Sequence, residues 1–172
     1  MSSSAGGVAR ITVSLARQMM FVELPGESTP RTYPVSTSRY GAGEAMDSLM
    51  TPRGRHEVIE RYGDDLVAGS VLVSRAFTGE VMPDSAWQQE DGEDRILSRI
   101  LRLSGCEPGR NRGGTLDSYA RMIYIHGTNQ EQHVGVRPSS HGCIRMKNHD
   151  VIELYQLTGG LLVQVEIKEH DD

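Results

Sequence analysis

Residues 11–24 read ITVSLARQMMFVEL, and this stretch decides the fold class. Ile11, Val13 and Leu15 alternate with polar neighbours, and after a break at residues 16–19 the alternation resumes at Met20, Val22 and Leu24. A side-chain period of two lines one face of a pleated strand, so two such runs about a short break predict a hairpin with one face on a core. The pattern recurs downstream. Residues 32–36, 55–60, 71–75, 121–125 and 161–167 are further strand candidates, the last with Leu161, Val163, Val165 and Ile167 on one face.

Nineteen glycines and seven prolines punctuate these short runs, as an all-β chain requires. Residues 94–103 satisfy two templates: Ile96, Leu97, Ile100 and Leu101 form a helical stripe, whereas Leu97, Leu101 and Leu103 form a strand face. Only residues 148–157 read as a helix, with Asn148 as cap, Asp150 in the first turn, Val151, Ile152 and Tyr155 on one face, and Gly159 with Gly160 as the stop. Residues 87–94 and 106–117 read as long loops, where functional side chains tend to sit. The expected organisation is one β-dominated domain over residues 9–168, between a flexible N-terminus (1–8) and an acidic tail (169–172).

The chain has 172 residues, 18 basic and 23 acidic, for a formal charge of −5, and 37% of it is apolar. That suffices for one core, and no apolar run reaches the ~18 residues of a membrane helix. Two lysines and sixteen arginines without a basic stripe argue against a nucleic-acid partner. Cys106 and Cys143 are too few for a disulfide framework. The first nine residues hold no Lys, Arg or long apolar run, which gives the expectation of a cytoplasmic protein, or of a periplasmic one if an export segment precedes this chain.

The densest chemistry lies in residues 124–148, YIHGTNQEQHVGVRPSSHGCIRMKN, with three histidines and one cysteine. A thiol with an ordinary pKa of about 8.5 is mostly protonated at neutral pH, so a cysteine nucleophile needs a base or a cation nearby. Cys143 has both kinds of neighbour. His141 and Arg145 each lie two residues away, on its face if the stretch is extended, and Gly142 lets backbone approach a substrate, with the amides of Gly142 and Cys143 as oxyanion donors. His126, at the end of the strand expected at 121–125, is the other candidate base. Spacing alone does not choose between His126 and His141, because Cys/His pairs usually come from separate elements.

This string resembles the L,D-transpeptidase (YkuD-like) catalytic domain family, whose signature is an upstream His, a variable spacer, then Ser/Thr-His-Gly-Cys, an apolar residue and Arg or Asn. Here the pieces are His126, then Ser140, His141, Gly142, Cys143, Ile144 and Arg145. The resemblance extends to the opening strand pair, the YPVSTS stretch, TPRGRHEVI and the closing LLVQVEI. It implies a β-sandwich with one short helix after the cysteine. It also implies Cys143 as nucleophile, His126 as general base oriented by the Gly127 carbonyl, and His141 with Gly142 on the oxyanion side. Arg145 and Ser140 fall at positions of substrate-binding or structural character, and no lid tyrosine is matched. The implied activity is cleavage of the meso-diaminopimelate to D-alanine bond of peptidoglycan tetrapeptide stems through a thioester. Stem peptides or muropeptides would be the partners, with no cofactor, metal or membrane, and carbapenems could acylate Cys143. Resolution by water makes an L,D-carboxypeptidase of peptidoglycan recycling, the favoured expectation; resolution by an amine makes a periplasmic crosslinking transpeptidase.

Two other readings compete. His126, His133, His141, Cys143 and His149 could ligate zinc, although structural zinc sites usually pair two close ligands with two more. A non-enzymatic module would leave these histidines as turn residues. Outside the string, Cys106 reads as a half-buried turn residue, Thr51, Pro52 and Gly54 as turn chemistry, Trp87 as a loop anchor, and the acidic run at 90–94 as a solvated loop that could edge a cleft.

Overall fold

The computed structural model describes residues 6–88 and 92–171; residues 1–5 of the N-terminus expected to be flexible, and Asp172 of the tail, lie outside the described residues. The elements are β1 (Val8–Ser14), β2 (Met19–Glu23), β3 (Arg31–Pro34), β4 (Gly54–Tyr62), β5 (Ser70–Val73), β6 (Ala76–Val81), β7 (Ile96–Gly105), β8 (Tyr124–Thr128), β9 (Ile144–Met146), α1 (Asn148–Leu157) and β10 (Leu162–Lys168). The all-β expectation with one helix after Cys143 holds.

All ten strands join one sheet in the order β3-β2-β1-β10-β4-β7-β5-β6, with β8 paired to β7 and β9 to β8. The sheet nearly returns on itself. Beyond β3, the Ser36 and Arg145 backbones exchange two hydrogen bonds of 2.9 Å, tying the first edge to β9. One core fills the space enclosed: Ile11, Val13, Met20, Val22, Val165 and Ile167 from one side meet Leu101, Leu103, Ile125, Ile144 and Met146 from the other, and α1 adds Val151, Leu154 and Tyr155. Each such burial contributes ~1.5–3 kcal/mol before chain entropy is set against it. The predicted hairpin is β1–β2, with Ile11 opposite Val22 and Val13 opposite Met20.

Several boundaries differ from the expectations, each for a local reason. Val8 already pairs with Leu162, so order begins inside the segment expected to be flexible. The acidic tail is docked: Glu169 meets Arg53 at 2.9 Å, and Asp171 accepts from the Ser14 hydroxyl at 2.7 Å. The expected strand at 71–75 ends at Val73, because Ser74 and Arg75 both take positive φ (49° and 66°) in the tight turn to β6. The segment expected at 94–103 is strand from Ile96, as part of β7, with Asp94 and Arg95 in the preceding loop. Between Leu97 and Ile100 the register against β8 shifts, with Ser98 at φ 75°, and the two inserted residues create the helix-like spacing of the apolar side chains. Asn148 opens α1 without capping it. Its side chain is buried, accepting from Ser98 Oγ at 2.7 Å and donating to the Thr128 carbonyl and to Glu131.

Candidate active site

His126 lies in the middle of β8, not at a strand end, opposite Ile100 on one side and Arg145 on the other. Its Nδ1 stands 2.6 Å from the Gly127 carbonyl. A carbonyl only accepts, so Nδ1 carries the proton and Nε2 is left to exchange one. The next residue must be glycine for a packing reason: a Cβ at Gly127 would stand 2.5 Å from Asn148 Oδ1 and 2.6 Å from the Leu97 carbonyl.

Cys143 precedes β9 and flanks Tyr124, the β8 residue two before His126. The Tyr124 N–H donates to its Sγ at 3.3 Å, and the thiol points its proton at the Met122 carbonyl 3.5 Å away. Burial pushes the Cys143 thiol up to about 11, against the opposing Tyr124 hydrogen bond, and burial lowers His126 despite its bond to Gly127. At neutral pH the thiol therefore rests protonated and the imidazole uncharged. Cys106 is a free, half-buried thiol, also raised by burial, on another part of the sheet beside Arg55 and His56.

The turn before Cys143 is held by buried hydroxyls. Ser140 Oγ donates to the Cys143 carbonyl at 2.6 Å and accepts from the Gly142 N–H at 3.2 Å. Thr51 Oγ1 donates to the Gly142 carbonyl at 3.0 Å and itself accepts from the Ser38 N–H. Gly142 takes φ 130°, and a Cβ there would press on the Met50 carbonyl at 3.3 Å. Ser140 is 1% exposed, and the bonds its hydroxyl makes are to the backbone of the turn. Of the two amides expected to meet an oxyanion, that of Gly142 is taken by Ser140, while the Cys143 N–H has no hydrogen-bond acceptor among the described residues.

Arg145 is fully buried. Its Nη1 donates to Ser139 Oγ at 2.7 Å, and its guanidinium is ion-paired with Asp94. Asp94 also stands 3.5 Å from Nδ1 of the half-exposed His141. Burial is the largest influence and works to raise the Asp94 carboxyl, but the charge and hydrogen bond of Arg145, joined by His126 and His141, together hold the group below the usual carboxylate range. The run expected to be a solvated loop thus sends one carboxylate into the motif. Tyr40 stacks obliquely near His141, with ring centroids 6.2 Å apart. Arg121, placed by sequence at a strand start, lies in a turn and donates to the carbonyls of Gly43 and Met50 and to Ser48, fastening the loop that carries Thr51 beside Gly142. Sequence reads Thr51 as turn chemistry, Asp94 as part of a loop that could edge a cleft and Arg121 as strand; their contacts with the motif come from segments distant along the chain. Trp87 is buried and donates to the Met82 carbonyl, as a loop anchor does. His133 is buried in its own turn, and His149 packs edge-on against Trp87. Among the described residues no group of three or more His, Cys, Asp or Glu is arranged to hold a metal ion.

Residues 8–166 match the family of L,D-transpeptidase catalytic domains, YkuD. YqjB of Bacillus subtilis (strain 168) is 29% identical over 99 residues, 54% of this chain and 56% of its own length. YcfS of Escherichia coli (strain K12) is 21% identical over 156 residues, 90% of this chain and 43% of its own length. Both bear L,D-transpeptidase in their names, and this chain spans about half of each. L,D-transpeptidase 3 of Mycobacterium tuberculosis, solved with a faropenem-derived adduct, shares the fold at a TM-score of 0.53 and 15% identity, over 94% of this chain and 60% of that one. LdtMt1 in complex with imipenem does so at 0.53 and 16%, over 93% and 58%. The family match runs through nearly every strand and takes in both His126 and the Ser140 to Arg145 segment, and the chain belongs to the L,D-transpeptidase catalytic domain family.

Proposed function

We propose that this chain cleaves the bond between the L-centre of meso-diaminopimelate and D-alanine in peptidoglycan tetrapeptide stems, through a thioester on Cys143. The observation that carries this reading is a thiol held by the backbones of Tyr124 and Met122 at the end of β8, with His126, two residues along the same strand from Tyr124, fixed at Nδ1 by the Gly127 carbonyl. His126 Nε2 takes the thiol proton as sulfur attacks the scissile carbonyl, and the carbonyl oxygen gains charge against the Cys143 N–H. The C–N bond then breaks, protonated His126 passes its proton to the departing amine of D-alanine, and the acyl group stays on sulfur. A water molecule, deprotonated by His126, releases the tripeptide and restores the thiol. Water is the proposed acceptor because it needs no second bound stem; the substrates would then be free stem peptides or muropeptides, the setting of cytoplasmic recycling.

Carbapenem ring opening by the same thiol would leave a stable acyl-enzyme, in keeping with the imipenem and faropenem-derived complexes of the structural relatives. The test is incubation with tetrapeptide and with disaccharide-tetrapeptide, followed by mass spectrometry. D-alanine and tripeptide are expected, with a transient adduct on Cys143 that disappears in Cys143→Ala. Crosslinked dimers as the main product would replace water by an amine, and D-alanine release by Cys143→Ala would overturn the thioester route.

A further inference from the structure

The sheet face that carries the Cys/His pair continues away from it into a charged row. Register places Arg102 of β7 opposite Tyr124 of β8, and Glu60 of β4 opposite Arg102; the neighbouring row runs His126, Ile100, Tyr62. Directly opposed residues point to one face, and adjacent strands lie ~4.8 Å apart, so Tyr124, Arg102 and Glu60 form a line across three strands, with Cys143, just before β9, at its end beside Tyr124. The hairpin β5–β6 brings a second cation over this line. From its turn, Arg75 donates to Tyr124 Oη at 3.1 Å and lies 3.9 Å from Met122 Sδ. Tyr124 and Met122 are the two residues whose backbones hold the Cys143 thiol. The guanidinium is therefore anchored one tyrosine side chain away from the nucleophile.

Charge distinguishes the two arginines. Arg102 is neutralised by Glu60 at 3.2 Å, and Glu60 also accepts from the hydroxyls of Tyr62 and Tyr119. Arg75 is partly exposed and has no carboxylate partner among the described residues, so the row keeps one uncompensated positive charge at its solvent edge. A guanidinium offers five donors in a fork suited to a carboxylate; the hydroxyls of Tyr124 and Tyr62 engage it and leave further donors open.

We propose that Arg75 is a specificity residue that binds the carboxylate at the far end of the acyl donor's side chain, so the site selects a diamino diacid over a simple diamine at the scissile position. This rests on the proposed stem-peptide reading. In that substrate the carbonyl attacked by Cys143 belongs to the L-centre, and a three-methylene chain leads to the D-centre and its free carboxylate.

The test compares D-alanine release from two tetrapeptides that differ only at the third residue, meso-diaminopimelate or L-lysine, which lacks the second carboxylate. Wild type is expected to prefer the diacid in kcat/KM by about tenfold or more, the scale of a charged hydrogen-bonded contact. Arg75→Gln should bring the ratio close to one and Arg75→Lys should restore part of it. Alkylation of Cys143 by iodoacetamide, which carries no carboxylate, checks that the pocket is intact in each variant. A preference that survives Arg75→Gln, or wild type with no preference, overturns the assignment of Arg75 alone. Wild type that releases no D-alanine from either peptide while Cys143 still alkylates overturns the stem-peptide reading, and this subsite with it.

Discussion

Gly127→Ala offers the sharpest check on how the site is built. The methyl group would stand 2.5 Å from Asn148 Oδ1 and 2.6 Å from the Leu97 carbonyl. Asn148 cannot swing aside freely, because its amide is bonded to Ser98, Thr128 and Glu131. The Leu97 carbonyl is backbone of β7, paired directly with Gly127. Opening its contact to the 3.4 Å of ordinary van der Waals distance moves one strand by about 0.8 Å. Overpacking a closed interior in this way costs ~1–3 kcal/mol, and for a domain of this size each kcal/mol lowers Tm by roughly 2–4 °C. The same displacement carries the Gly127 carbonyl, and the His126 ring held on it, away from Cys143. A misplacement near 1 Å costs on the order of 100-fold in a positioned reaction. Urea unfolding measures the first quantity and the rate of Cys143 acylation by a carbapenem the second. The double variant Gly127→Ala with Asn148→Ala should recover little of either, since the Leu97 contact remains. Gly127→Ala that unfolds within ~0.5 kcal/mol of wild type and acylates at its rate would refute this account of why glycine follows the histidine.

Thr51→Val keeps the shape but removes the donor to the Gly142 carbonyl and the acceptor of the Ser38 N–H; a loss of ~1–3 kcal/mol in urea unfolding is expected, with slower acylation, and unchanged values in both would deny Thr51 its bracing part. Asp94→Asn leaves the buried Arg145 charge without its carboxylate; acylation should fall and its pH profile shift at the acid limb, because Asp94 is one of the charges acting on His126 beside Arg145 and the Gly127 carbonyl. An Asp94→Asn protein with the wild-type profile would confine Asp94 to structure. His56 is buried between the Gly54 carbonyl and Ser118, and burial lowers it from 6.5 to about 4 despite the Gly54 bond. The folded state therefore binds fewer protons than the unfolded chain between those values, so stability from this group is complete above pH 6.5 and is lost as pH falls toward 4, by roughly 3 kcal/mol. His56→Gln should flatten that part of the urea stability profile, and an unchanged slope would exclude His56 as its source.

The sequence by itself determined what depends on local order along the chain. Alternation at Ile11 to Leu24 and at Leu161 to Ile167 gives strands because a pleat has a period of two, and residues 148–157 give the helix because their apolar side chains recur at helical spacing. The Ser140 to Arg145 segment with an upstream His126 identified the family, because attack by a thiol needs a base and a close-approaching backbone in a few adjacent positions. Only the tertiary structure decided what those residues touch. Ser140 and Arg145 carry the polar groups of ligand contacts, yet the turn around Gly142 folds one inward onto Cys143 and the other onto Asp94. Asp94, Thr51, Arg121 and Arg75 reach the site from loops 22 to 92 positions away from Cys143 along the chain, and no periodicity registers a contact at that separation. The two-residue shift in β7 is equally invisible in its apolar pattern, because it exists only as a register against β8. Strand and helix follow from the spacing of side chains along one segment; the environment of a charge or a hydroxyl follows from which segments the closed sheet brings together.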